Sequence, residues 1–127
     1  MKKAVALLVC LCVLLSSVGV LAEPRADAVF TSASITLSGS GNCTYRAATN
    51  TDADRIEITA VYLFKKVNGV WECAGSLPIP SYVATNTSTY SATINYYAYM
   101  GTGTYRVQAM FNADGHEAYR YSNGVDF

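Results

Sequence analysis

The chain offers one histidine, His116, beside an Asp114-Gly115 pair. A hydrolytic centre needs a nucleophile, a base and an orienting partner, and no serine or cysteine here sits in a nucleophile motif, so His116 reads as an exposed turn residue. Asn50-x-Asp52-x-Asp54 has the alternating oxygen ligands that open a calcium loop. Arg55 stands where such a loop requires glycine, and Val61 falls at the position of its closing glutamate, which excludes an EF-hand. A looser calcium site on Asn50, Asp52 and Asp54 is retained beside the plainer reading of an Asx-rich turn. Asp52 with Asp54, or Glu57 with Glu72, would form a glycosidase pair only if a cleft held the carboxyls roughly 5 to 9 Å apart. A chain this small, without long loops, has little room for one.

Cysteine and tyrosine carry more signal. Cys10 and Cys12 lie in an apolar N-terminal run with no lipobox, which leaves Cys43 and Cys73 in the remainder. An even pair in an exported chain predicts a disulfide, worth roughly 3 to 4 kcal/mol by loop entropy. All ten tyrosines lie beyond the apolar run, including Tyr96-Tyr97-x-Tyr99 and Tyr119-x-Tyr121. Alternating tyrosines on a strand form a flat aromatic ladder that stacks on sugar rings or anchors a protein interface. Tyr96, Tyr97 and Tyr99 are therefore the candidate ligand contacts, against the alternative that they are ordinary half-buried strand residues.

The remaining motifs are weaker. Leu77-Pro78-Ile79-Pro80-Ser81 resembles a sortase signal only superficially, because the Thr-Gly pair and the apolar tail are missing. Asn42-Cys43-Thr44 and Asn86-Thr87-Ser88 match the glycosylation sequon, which matters only in a eukaryotic secretory route.

These side chains must be positioned by the elements around them. Residues 1–22 begin with Lys2 and Lys3, continue as an apolar run and end in small residues at Val20-Leu21-Ala22. That is a secretory signal with cleavage after Ala22, the alternative being an uncleaved anchor of about bilayer-spanning length. Its removal takes Lys2 and Lys3 from the nine Lys and Arg, leaving seven against nine Asp and Glu. A weakly acidic chain without a basic cluster gives nucleic acid or an anionic membrane no electrostatic footprint. No cofactor or resident metal is expected.

After a short lead at 23–28, one domain at 29–127 is predicted. Thr, Ser, Tyr, Val and Ile dominate, and no stretch has a helical apolar period. Seven strands are read at 29–37, 42–49, 55–67, 70–76, 88–96, 103–109 and 116–121, with the polar run 50–54 as a turn. Cys43, Tyr45 and Ala47 take the inner face of the second strand. In the third, Ile56, Ile58 and Ala60 alternate before Val61 and Leu63 take the opposite parity, so the strand either bulges or is buried on both faces. Asn68-Gly69 and Asp114-Gly115 are hairpin signals, and Trp71 and Cys73 point the same way. Gly103-x-Tyr105-x-Val107 matches the start of the penultimate strand of an immunoglobulin-like sandwich. There the tyrosine bonds back across a corner and the residue two further on is buried. Val107 occupies the position of the second antibody cysteine, so the predicted bridge runs from Cys43 to Cys73.

Taken together, three stretches resemble a family of small exported immunoglobulin-like sandwich proteins from Gram-positive gut bacteria. They are the Gly/Ser-rich turn at 38–42, the Leu63-x-Lys65-Lys66-x-Asn68-Gly69-x-Trp71 hairpin and the Gly103-x-Tyr105-Arg106-Val107 strand. The likeness spans most of the chain beyond residue 22, and its motifs turn, pack or pair. It implies export and fold, and carries no activity. The expectation is an antiparallel immunoglobulin-like β-sandwich of about seven strands with one disulfide. It would be secreted and non-enzymatic, a monomer or weak homo-oligomer binding an extracellular protein or glycan. A self-assembling structural protein or toxin-like effector is the alternative, and a small extracellular hydrolase the third.

Overall fold

The computed structural model describes residues 29–127. The expected signal at 1–22 and lead at 23–28 lie outside the described residues. The described residues are all-β and antiparallel, a seven-stranded sheet. In chain order the strands are β1 (Phe30–Leu37), β2 (Asn42–Val67), β3 (Val70–Ser76), β4 (Ala84–Asn95), β5 (Thr104–Ala113), β6 (His116–Tyr121) and β7 (Val125–Asp126). A 3-10 turn, Tyr97–Tyr99, follows β4.

β2 organises the rest. Fully extended, its 26 residues would reach roughly 85 Å, more than twice the diameter of a domain of this size, so it must bend. Register shifts opposite β4 between Ala48 and Ala53, and opposite β5 between Ile58 and Ala60, mark where it does. The first half of β2 carries β1 on one edge and β4 on the other, while the second half carries β3 and β5. Ile56 is the changeover, aligned with Ala84 of β4 and Ala113 of β5. Bending brings the apolar faces of the two halves together. Phe111 of β5 meets Phe30 of β1, Tyr45 of β2 and Tyr90 of β4 edge-on, at centroid distances of 6.4, 6.3 and 6.5 Å.

One expected turn is absent. Residues 50–54, a polar break by composition, remain in strand conformation within β2. The run holds no glycine or proline to end pairing, Ala53 is buried, and groups distant in the chain accept the amides at its two ends. The Asp114 carboxylate accepts the N–H of Asp54 at 3.0 Å and of Arg55 at 2.9 Å, while the Asn50 N–H donates to the Val29 carbonyl at 3.0 Å. Turn propensity loses here to tertiary hydrogen bonds. The phase change is a bulge between Ile58 and Ala60, which lets Val61 and Leu63 join the same core as Ile56 and Ile58, and beyond it β2 is buried on its other face as well, through Phe64. β4 and β5 run further than the sequence pattern indicates, and β7 adds a short strand beyond it.

Candidate ligand site at the tyrosine turn

β4 stops at Asn95, whose side chain is spent on local backbone and neighbours. Its Nδ2 donates to the Ser40 carbonyl (3.1 Å) and to Asn42 Oδ1 (2.8 Å), and its Oδ1 accepts the Tyr97 N–H (3.0 Å). The turn at 38–42 thereby holds the start of the 3-10 turn. Gly41 has φ +90°, and a Cβ there would lie 2.7 Å from Tyr97 Cβ, so only glycine allows this approach.

The three tyrosines do not form the ladder expected of a strand. Tyr96 points into the core, fully buried, and its hydroxyl donates to the Pro78 carbonyl at 2.7 Å. Its remaining capacity accepts the Tyr45 hydroxyl at 2.8 Å. Tyr97 and Tyr99 sit on the 3-10 turn and are 59% and 54% exposed. The change from period 2 to a tight turn separates one packing tyrosine from two presented ones.

Tyr97 forms one wall of a cavity of about 360 Å³ that opens to solvent at this end of the molecule. Gly39, Met100, Gly101, Thr102, Asp126 and Phe127 complete it. Tyr97 and Phe127 meet edge-on at 6.2 Å, so the wall is aromatic. The Asp126 carboxylate accepts the Thr104 hydroxyl at 2.5 Å, which orients it. Rings for stacking beside an oriented carboxylate suit a small ligand bearing hydroxyl or amine donors, and the volume lies within the range of small-molecule sites.

The other sequence-derived candidates are dispersed. Asn50, Asp52 and Asp54 lie exposed along extended β2, with alternate residues about 7 Å apart, whereas calcium needs oxygens converging at 2.3–2.6 Å. Among the described residues, no group of three or more His, Cys, Asp or Glu comes together. Glu57 binds the Arg55 guanidinium at 2.7 Å, and Glu72 lies opposite Lys65, eight residues along β2. That puts the two carboxylates roughly 25 Å apart along the strand, beyond glycosidase reach. His116 is exposed at the start of β6.

The predicted disulfide is corrected: Cys43 and Cys73 are both free and buried. Cys43 faces the main core, whereas Cys73 lies across from Phe64 in a separate cluster with Tyr62, Trp71 and Tyr121. Phe64 and Leu63 are adjacent on β2 and so point to opposite faces, with Leu63 in the main core. The two thiols are therefore on opposite sides of the sheet, where no bridge forms without moving backbone. Mass analysis after denaturing alkylation should show both modified without prior reduction. Under native conditions Cys43 should resist alkylation, because burial pushes its thiol up to about 11, only partly opposed by a hydrogen bond with Tyr45.

The sequence reading did not find the arrangement around Trp71. On the face bearing Cys73, the Arg106 guanidinium lies 3.9 Å from the Tyr121 ring centroid, 4.6 Å from Trp71 and 5.9 Å from Phe64. Lys66 Nζ lies 5.5 Å from the Trp71 ring, and Trp71 packs on Gly124, where a Cβ would come within 3.3 Å of it. Desolvation lowers the Arg106 pKa, and its Nε is buried without a hydrogen-bond partner. Attraction to the ring faces offsets part of that cost. The pattern available in sequence was Lys66, Trp71 and Arg106 at outward positions of neighbouring strands, legible only once register is known.

No family model and no curated protein matches the chain.

Proposed function

We propose that this chain is an exported immunoglobulin-like sandwich that works as a non-enzymatic binding module, with its ligand held at the tyrosine turn. The observation that carries the reading is the pair of presented tyrosines beside the open cavity. Tyr97 and Tyr99 expose large rings at one end of a domain whose remaining aromatics are mostly committed to packing. Support for the sandwich comes from the hydroxyl of buried Tyr105, which accepts the Gly101 N–H at 3.1 Å, four residues upstream. Val107, two residues on, is fully buried, which suits the corner of an immunoglobulin-like penultimate strand. Support for export is the residue pattern at 1–22.

The ligand class is a glycan or extracellular protein that lays a flat surface on Tyr97 and donates to Asp126. Glycan-array screening and cell-surface pull-down with the purified protein test this. Tyr97→Ala should weaken whatever binding is found by at least about 30-fold, the effect of losing an aromatic anchor worth roughly 2 kcal/mol. Its urea midpoint should stay close to wild type, because the ring is more than half exposed. Binding that is unchanged in both Tyr97→Ala and Tyr99→Ala would move the site elsewhere. Hydrolysis of a substrate by wild type, lost in His116→Ala, would replace the reading with an enzyme.

A further inference from the structure

The margins of the sheet treat their outward backbone groups differently. β1 and β4 flank the same half of β2, and each pairs with no other strand. β1 is capped. The Leu37 N–H donates to Asn123 Oδ1 and the Leu37 carbonyl accepts from Asn123 Nδ2, both at 2.9 Å. The Ala33 carbonyl accepts from Arg120 Nε at 3.1 Å. Side chains on and just past β6 thus occupy the groups that another strand would use.

Among the described residues, β4 has no such cover. Just past its end, the Tyr96 N–H donates to the Gly41 carbonyl on the β2 side. By antiparallel alternation, the amides and carbonyls of Thr89, Ser91 and Thr93 then face away from β2. The Thr89 N–H reaches Thr87 Oγ1 of its own strand at 3.3 Å, and among the described residues no side chain caps Ser91 or Thr93. The 12 residues Ala84–Asn95 include no Lys, Arg, Asp, Glu or Pro, the residues that natural edges use against pairing. On the inward face, Ala92 and Ile94 are only half-buried, and Tyr82, 53% exposed, lies 5.4 Å from Tyr90 at the start of this edge.

We propose that β4 pairs antiparallel with β4 of a second copy of this chain, about a two-fold axis at Ala92. The outward-facing groups belong to odd-numbered residues, so odd must meet odd. A centre at Ala92 places Ser91 opposite Thr93 and Thr89 opposite Asn95 of the second copy. Tyr90 then lies beside Ile94 and Ala92 beside its own equivalent, which continues the apolar inner face across the junction. The outer face gains hydroxyl pairs like the Thr44–Thr93 contact already made within one copy at 3.1 Å. No charge opposes another anywhere along the strand. A two-fold contact uses one patch twice, and this strand is complementary to itself in polarity, charge and face. The inference does not depend on the tyrosine-turn cavity.

Sedimentation velocity of the purified full chain tests it, with Ser91→Lys and Thr36→Lys compared against wild type. Wild type should show a concentration-dependent dimer. Ser91→Lys puts two ammonium groups at diagonal positions across the junction and should raise the dimer Kd at least about tenfold. Thr36→Lys adds the same charge to the same outer face on capped β1 and should leave the Kd unchanged. Independently, oxidised Ala92→Cys should give a disulfide-linked pair of identical peptides spanning position 92, because residues on the axis form a close non-hydrogen-bonded pair. A wild type that stays monomeric at about 1 mM, where an association worth about 4 kcal/mol is visible, overturns the proposal. So does a dimer that Ser91→Lys leaves intact, one that both lysine variants weaken equally, or a foreign strand found in place of the second copy.

Discussion

Phe111→Ala should cost about 3 to 5 kcal/mol, the range for deleting a fully buried aromatic ring. The size follows from position. Phe111 is the ring on which β1, β2 and β4 all converge, through Phe30, Tyr45 and Tyr90. Its removal leaves a void whose walls are rings on three strands, each tied into its own ladder and unable to close in together. A small domain is stable by only about 5 to 15 kcal/mol, so the variant should be partly unfolded at physiological temperature. Urea titration followed by near-ultraviolet circular dichroism gives the number. Val70→Ala, at an exposed position beside the Asn68-Gly69 turn, is the matched control and should change stability by less than about 0.5 kcal/mol. A loss below about 1 kcal/mol for Phe111→Ala would mean that the two halves of β2 do not share a core.

Alkaline pH should unfold the protein. Burial raises the Cys43 thiol from 9.0 to about 11 and the Tyr90 phenol from 10.0 to about 12. Burial also raises Tyr45 and Tyr96, with the neighbouring Cys43 thiol adding to both. For each group the folded state favours the protonated form and the unfolded state ionises first. Their stabilising contribution is complete below pH 9, falls as the unfolded chain ionises and is gone once the folded pKa is passed. Cys43 alone accounts for a loss on the order of 3 kcal/mol between pH 9 and 11, and the tyrosines extend the decline upward. Urea midpoints measured from pH 7 to 11 should be flat at first and then drop. Cys43→Ala should make the early part of that drop shallower. A midpoint constant to pH 11 would place these groups in water, contrary to the hydroxyl chain from Tyr45 through Tyr96 to the Pro78 carbonyl.

Local signals were legible because they depend on neighbours in the chain. Asn68 and Gly69 adopt φ of 51° and 78°, and Asp114 and Gly115 adopt 51° and 90°, so each pair makes the turn that its residue types allow. Alternation in Cys43, Tyr45 and Ala47 marked one inner face, and all three are buried. Both hairpins and most strand positions could therefore be read one residue at a time. The candidate site was legible only in part. Tyr96, Tyr97 and Tyr99 were singled out as a group, but a run of tyrosines does not reveal that the strand ends after Asn95, and the end of the strand decides which rings reach solvent.

What failed was everything that depends on where a distant segment arrives. The run 50–54 looks like a turn until the Asp114 carboxylate, some sixty residues later, takes the amides of Asp54 and the following Arg55. Cys43 and Cys73 look like a pair until register places one inside the sheet and the other on its opposite face. Composition, the alternation and the turn dipeptides were determined by the sequence alone, since each rests on backbone sterics and side-chain pattern over a few residues. The bend in β2, the two separated thiols, the stacking of Arg106 on Trp71 and Tyr121 and the open edge at β4 were decided only by tertiary structure. They follow from register between strands far apart in the chain, and a one-residue shift in that register would turn every side chain involved to the other face.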